Sequence, residues 1–270
     1  MNPLNTFAGA DASLAAAAWS LCRRELVRFL RQRSRVISGL ATPLLMWLFL
    51  GAGLNRSFRP VGAHETYGYI TYFFPGSVLM AVLFTAVFSA ISTIEDRNAG
   101  FLQGVLVAPV HRGAIALGKI LGGTIIATVQ GGLFLLLAPG AGLRFDAGGI
   151  VGALLVLAAM SFALTSLGFA FAWRMDSVAG FHGVMNIVLM PLWLLSGALF
   201  PVSGASAWLG WVVRLNPLSY GLAPLRAFLG DGAADPFAPM WLCLLVTLLF
   251  ASVMFLFAAV QVRPTAERAR

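Results

Sequence analysis

Stretches free of Asp, Glu, Lys and Arg divide this chain into six blocks, 36–55, 70–94, 120–143, 147–173, 177–213 and 236–262. A helix needs about 20 apolar residues to cross roughly 30 Å of hydrocarbon, and a charge stranded at mid-depth costs about 2.5 to 3.5 kcal/mol on insertion scales. The pattern predicts six membrane-spanning helices with charge confined to the joints. The fifth block is too long for one span. Pro201-Val-Ser-Gly204 is predicted to end the fifth helix. Ala205 to Leu229 then form short helices near the outer face, broken at Pro217 and Pro224, before a sixth span opens near Pro239. Pro43, Pro75, Pro139 and Pro191 each remove a backbone donor inside an apolar run, so the freed carbonyls need partners from neighbours or water.

Ahead of the first span, residues 14–35 read as a helix on the membrane surface. Trp19, Cys22, Leu26, Phe29 and Leu30 share one side, and Arg24, Arg28, Arg31 and Arg35 recur at helical spacing. One face would enter lipid while the other meets phosphates. A plain positive-inside anchor explains the same residues equally well.

Composition supports a membrane class. At 59% hydrophobic and 10% charged, 270 residues lack the polar surface for a soluble globule of this size. The formal charge of +8 lies in short segments flanking apolar runs rather than in one stripe, which argues against a nucleic-acid partner. With the N-terminus placed in the cytoplasm, thirteen of the 18 basic residues fall on that side, leaving Arg56, Arg59, Arg144, Arg214 and Arg226 outside. That bias predicts six spans with both termini cytoplasmic. Cys22, Cys243, His64, His111 and His182 are scattered without metal-ligand spacing.

Among the joints, 95–112 is the most informative. Phe101, Leu102, Val105 and Leu106 form one helical face between charged ends and stop at Pro109. Such a face either fills a groove on a cytoplasmic partner or lies against the bilayer and the span ends. Gly113 to Ile120 imitates a phosphate loop, but Ile120 stands where Ser or Thr must reach magnesium, and the segment runs straight into an apolar span. Lys119 is read instead as marking a helix end. Gly118 and Gly122, like Gly148 and Gly152, have the spacing that lets helix backbones approach. The ten acidic residues fall in loops, termini or span borders, so no buried carboxylate of the kind proton-coupled carriers use within the membrane is expected, and no catalytic set is evident.

Asp96 to Arg112 followed by Ala116-Leu-Gly-Lys119 resembles the permease subunits of type 2 ABC exporters. Phe74-Pro-Gly76, Pro191 to Pro201 and Asn216 to Arg226 extend the likeness over nearly the whole chain, nearest to the drug-resistance and nodulation J-type permeases. The resemblance implies that the chain is not an enzyme and binds no cofactor, with ATP and Mg held by a separate ATPase present in two copies. It further implies a second permease subunit, expected to be an identical chain. Its coupling residues would be Glu95, Gly100, Phe101, Leu102, Leu106, Pro109 and Arg112, together with the interface helix bearing Arg24, Arg28, Arg31 and Arg35. Outer re-entrant helices would carry Pro201, Asn216, Pro217, Tyr220 and Arg226. Gln103-Gly104 and Ala223-Pro224 depart from the family pattern, which often has acidic residues there.

The resulting expectation is an all-α integral membrane protein with six transmembrane helices, an N-terminal amphipathic interface helix and short outer re-entrant helices between spans five and six. Residues 1–35 form the cytoplasmic leader. Residues 36–262 form the membrane domain, with an inner coupling loop at 95–119 and the outer region at 203–235, and 263–270 are a cytoplasmic tail. The expected activity is ATP-driven export of a hydrophobic or amphiphilic substrate (drug, lipid or glycoconjugate) across the cytoplasmic membrane. An energy-independent channel or proton-coupled carrier is the alternative.

Overall fold

Helix α3 (Tyr69–Asn98) is the axis of the protein: 83% of its most apolar window is covered by the rest of the chain, against 22% for the first, fifth and sixth spans. The computed structural model describes residues 14–55, 57–58, 67–107, 112–230 and 238–262. Among these, α1 (Leu14–Arg31) precedes α2 (Arg33–Leu54), and α4 (Phe101–Val107) is a short helix between α3 and α5 (Arg112–Leu135). Then follow α6 (Ala147–Ala172), α7 (Val178–Trp193), α8 (Ala207–Leu215), α9 (Pro217–Phe228) and α10 (Met240–Gln261). Six of these, α2, α3, α5, α6, α7 with its continuation to Ala198, and α10, are long and apolar enough to cross a membrane.

Around α3 the core is aromatic. Trp47 of α2 meets Phe74 edge-on at 5.2 Å between ring centroids, and Phe134 of α5 stands 5.6 Å from Phe74. Such contacts fix neighbouring helices where lipid offers no hydrophobic drive between them. A polar clasp ties three spans together: Gln130 donates to the Val36 carbonyl at 2.9 Å and meets the Thr85 hydroxyl. Gly39 makes room for it, since a Cβ there would stand 3.1 Å from Gln130 Oε1.

Three predicted boundaries shift. The third span begins at Arg112 rather than near 120, because Lys119 finds anionic partners inside the bundle. The fifth helix leaves regular geometry at Leu195 and Gly197, ahead of Pro201, and Gly197 adopts φ +81, a left-handed conformation that glycine enters freely. Pro224 lies inside α9 and does not break it, whereas Pro217 opens α9 at a position where its missing N–H is no loss. Pro239 does cap the sixth span.

Candidate functional site

Gly118 and Gly122 leave a shallow seat on α5. A Cβ on the first would stand 2.6 Å from the Ala18 carbonyl oxygen, and one on the second 2.8 Å from Glu25 Cβ. Helix α1 lies in that seat with Ala18, Cys22, Glu25 and Phe29 buried. The spacing of the two glycines was legible, but not its partner. The apolar face predicted for α1 is thereby divided, for Cys22 and Phe29 pack inward while Trp19 and Leu30 remain 62% and 71% exposed.

Beside the seat is a cluster of buried ions. Lys119 donates to Glu25 Oε1 at 2.8 Å, to Asp96 Oδ2 at 2.5 Å and to Ser92 Oγ at 3.4 Å. Arg24 grips the two oxygens of Asp96 through parallel bonds of 2.8 Å. Arg28 reaches Asp96 and Glu95, each at 2.6 Å, and Arg35 bonds the other oxygen of Glu95. Charges this deeply buried are tolerated only when paired and hydrogen-bonded. The Asp96 hydrogen bond holds the Arg24 guanidinium above its ordinary pKa, and burial, aided by Glu25, pushes the Cys22 thiol up.

Three sequence readings are revised by these contacts. Asp96 and Glu25, read as lying in loops or at span borders, are buried there, 2% and 6% exposed. Lys119 reaches both from a helix distant in sequence, which offsets the cost of burying their charge. Lys119 marks no helix end, for it lies a full two turns inside α5 and is 4% exposed. Nor do Arg24, Arg28 and Arg35 face phosphates as one row, because Glu95 and Asp96 occupy them, and only Arg31 of the predicted set is left exposed. Residues 113–120 are continuous helix, so no phosphate-cradling loop exists there.

Helix α4 follows a sharp turn at Gly100, φ +74, where a side chain would be strained. Phe101 lies beneath Arg24, whose guanidinium carbon is 3.7 Å from the ring centroid, and Leu102 is 3% exposed. The predicted partner-facing side of this helix is therefore turned, at these two residues, toward its own chain. Gln103 and Gly104 are exposed instead. Arg112 opens α5 and is exposed, the Leu106 side chain is not described, and Pro109 lies outside the described residues.

At the other end of α3, the break after α7 is pinned by side-chain donors. Tyr72 donates to the Gly197 carbonyl at 2.7 Å, Arg226 reaches the same oxygen at 3.0 Å, and Tyr69 donates to the Leu199 carbonyl at 3.0 Å. Arg226 also lies over the Tyr72 ring at 4.0 Å. Asn216 caps α9 by accepting from the Leu218 N–H at 3.0 Å and donates to the Leu192 carbonyl at 2.5 Å. Tyr220 staples α9 to the end of α8 through the Arg214 carbonyl at 2.9 Å. Pro201 precedes a single 3-10 turn, Val202–Gly204. The predicted set at this end is thus brought together, with Pro201 at its edge, and it acts by satisfying backbone that has left the helix.

Glu25, Asp96, Lys119 and Tyr72 are the residues that sequence reasoning passed over. A lone carboxylate on the buried stripe of α1 and a lone lysine two turns into an apolar helix were the signals for the first and third. Every carboxylate in the cluster is engaged, and together they join α1, α2, α3 and α5 at one end of the bundle, with α4 attached through Phe101 beneath Arg24.

Comparison with known proteins agrees with this architecture. The family model described as ABC-2 type transporter matches residues 16–229. The daunorubicin resistance ABC transporter permease protein DrrB1 of Streptomyces coeruleorubidus is 24% identical over 256 residues, covering 94% of this chain and 87% of its own. The putative transport permease ycf38 of Cyanophora paradoxa is 24% identical over 208 residues, covering 76% and 71%. Nodulation protein J of Rhizobium meliloti is 26% identical over 193 residues, covering 71% and 72%. A family match from α1 through α9, together with six helices among the described residues that are long and apolar enough to cross a membrane, makes this protein a member of the ABC-2 type transporter permease family.

Proposed function

We propose that the chain is the membrane half of an ATP-driven exporter that carries a hydrophobic or amphiphilic substrate outward across the cytoplasmic membrane. Two identical chains would form the pathway, with both termini cytoplasmic. Two copies of a separate ABC ATPase would hold ATP and Mg. The relatives, among them permeases named for daunorubicin and doxorubicin resistance, support the substrate class.

The observation that carries the reading is the clasp between α1 and α4. Arg24 stacks on Phe101 while holding Asp96 at the end of α3. A force applied to the exposed Gln103–Gly104 side of α4 would thus reach the leader helix and the central span together. Closure of the ATPase pair would then bias two arrangements of the permease halves.

Gly104 offers a clean test, because a Cβ there meets nothing within 4 Å. Gly104→Trp adds bulk that the chain itself tolerates and a docked ATPase does not. The full chain is co-expressed with any ABC ATPase encoded beside it, and vanadate-sensitive ATP hydrolysis is measured in lipid. Hydrolysis by a stable complex, lost in Gly104→Trp while the variant chain keeps its melting behaviour, is the expected outcome. Absence of a complex with any such ATPase, or hydrolysis indifferent to Gly104→Trp, overturns the proposal.

A further inference from the structure

The arginines around α1 fall into two rows with different fates. Arg24, Arg28 and Arg35 face Glu95, Asp96 and, for Arg24, also Glu25. Arg23, Arg31 and Arg33 are exposed, and among the described residues no carboxylate lies within bridging distance of them. The helical period separates Arg23, Val27 and Leu30 from Arg24 and Arg28, whereas Arg31 shares the direction of the paired residues but lies in the last turn of α1, and Arg33 opens α2 beyond the break at Gln32.

Along that outward side runs a concavity of about 710 Å³, walled by Trp19, Arg23, Val27 and Arg31 over a floor that includes the paired Arg24 and Arg28. Its lining mixes cation and hydrocarbon, with Trp19 62% and Val27 44% exposed, and Leu30, outside the concavity, is 71% exposed. The apolar part continues past the break at Gln32 to Ile37 of the first span, 63% exposed. An acidic protein surface would account for the cations alone. A lipid accounts for both, because its phosphate and its acyl chains are covalently joined and present the same mixture of chemistry as the lining. The continuity of the exposed apolar side into a membrane span selects the lipid. Three guanidiniums that no carboxylate bridges among the described residues further select an anionic headgroup, since a choline headgroup would bring a cation of its own to the site.

We infer that the outward face of α1 is a binding site for an anionic phospholipid. The phosphate is held by Arg23, Arg31 and Arg33, and Trp19, Val27 and Leu30 lie at the boundary with the acyl chains. This inference does not rest on the exporter reading. A lysine or arginine near an anionic membrane surface contributes about a fivefold gain in binding. The preference for phosphatidylglycerol over phosphatidylcholine of identical acyl chains should therefore exceed about tenfold when three act together.

The test uses the full chain in neutral detergent with equal amounts of the two lipids, bound lipid being counted by native mass spectrometry. Wild type should retain phosphatidylglycerol selectively. R23Q/R31Q/R33Q should bring the two lipids to parity, R23K/R31K/R33K should keep most of the preference, and Arg23→Gln alone should lower it about fivefold. Because these side chains hold no internal carboxylate among the described residues, the variants should elute from size exclusion as wild type; if the triple variant does not, the single one decides. In vesicles, phosphatidylglycerol brominated on its acyl chains should quench an increment of tryptophan emission that Trp19→Phe removes. Parity in wild type, or an undiminished preference in the glutamine variants, overturns the site. Equal displacement by soluble glycerol phosphate would assign it to free phosphate and overturn the lipid. Loss of ATPase capture in the triple variant with the lipid preference intact would make the face a protein dock and overturn it as well.

Discussion

Lys119→Met tests whether the buried ion cluster holds α1 in place. Lys119 is nearly inaccessible, and its ammonium bonds both Glu25 and Asp96. Removing one member of a buried pair costs about 3 to 5 kcal/mol, because the remaining charge is left in a poor solvent. The two carboxylates would not suffer equally. Asp96 keeps Arg24 and Arg28, whereas Glu25 keeps only Arg24 at 3.5 Å, a looser contact through a guanidinium that is 35% exposed. The loss therefore falls near the lower figure, about 3 kcal/mol, and most of it belongs to Glu25. Replacing both members by hydrocarbon removes the orphaned charge, so Lys119→Met with Glu25→Met should recover at least about 2 kcal/mol. Reversible unfolding of the purified chain in mixed micelles, followed by tryptophan emission as denaturing detergent is titrated, reads both numbers. A single variant within about 1 kcal/mol of wild type, in the range of surface ion pairs, or a double variant no better than the single one, would refute the reasoning.

Other outcomes follow from the same contacts. Burial and Glu25 raise the Cys22 thiol, so little thiolate exists at neutral pH. In a Cys243→Ala background, maleimide should label Cys22 slowly and should speed up several-fold in Lys119→Met, as mass spectrometry would record. Gly118→Ala drives a Cβ to 2.6 Å from the Ala18 backbone oxygen and should destabilise by about 1 to 3 kcal/mol. Gly53→Ala, with nothing within 4 Å, should be neutral or stabilise by up to about 1 kcal/mol in the same titration. Gly197→Ala forces a side chain to φ +81 and should cost about 1 to 2 kcal/mol. Arg226→Met gives up the bond to the Gly197 carbonyl and should cost about 1.5 to 3 kcal/mol, since its donor is charged.

The spans were legible because a bilayer penalises charge so heavily that its absence is a signal in itself. Pro217 and Pro239 also gave their boundaries correctly, since proline dictates backbone locally. Pro224 misled because a proline inside a helix only frees a carbonyl, and the surrounding bundle can absorb that. The ion cluster was hidden for a different reason. Lys119 and Glu25 lie 94 residues apart, and Arg24 and Asp96 lie 72 apart, so their pairing is a property of helix packing and leaves no periodic trace. The side of α4 facing outward was equally unreadable, since Phe101 is drawn inward by Arg24, a residue of another helix.

The pairing of Arg24, Arg28 and Arg35 with Glu95 and Asp96 has a consequence for biosynthesis. Translation delivers six arginines, from Arg23 to Arg35, some sixty residues before Glu95 emerges, and Lys119 later still. While α2 is being threaded into the bilayer, these cations have only Glu25 among their later partners and bias the orientation of the first span. Once the end of α3 and then α5 have been made, three of the same side chains are recruited as structural partners. A charge reversal at Glu95 or Asp96 would thus leave the orientation of the first span untouched and disturb only the later docking of the leader.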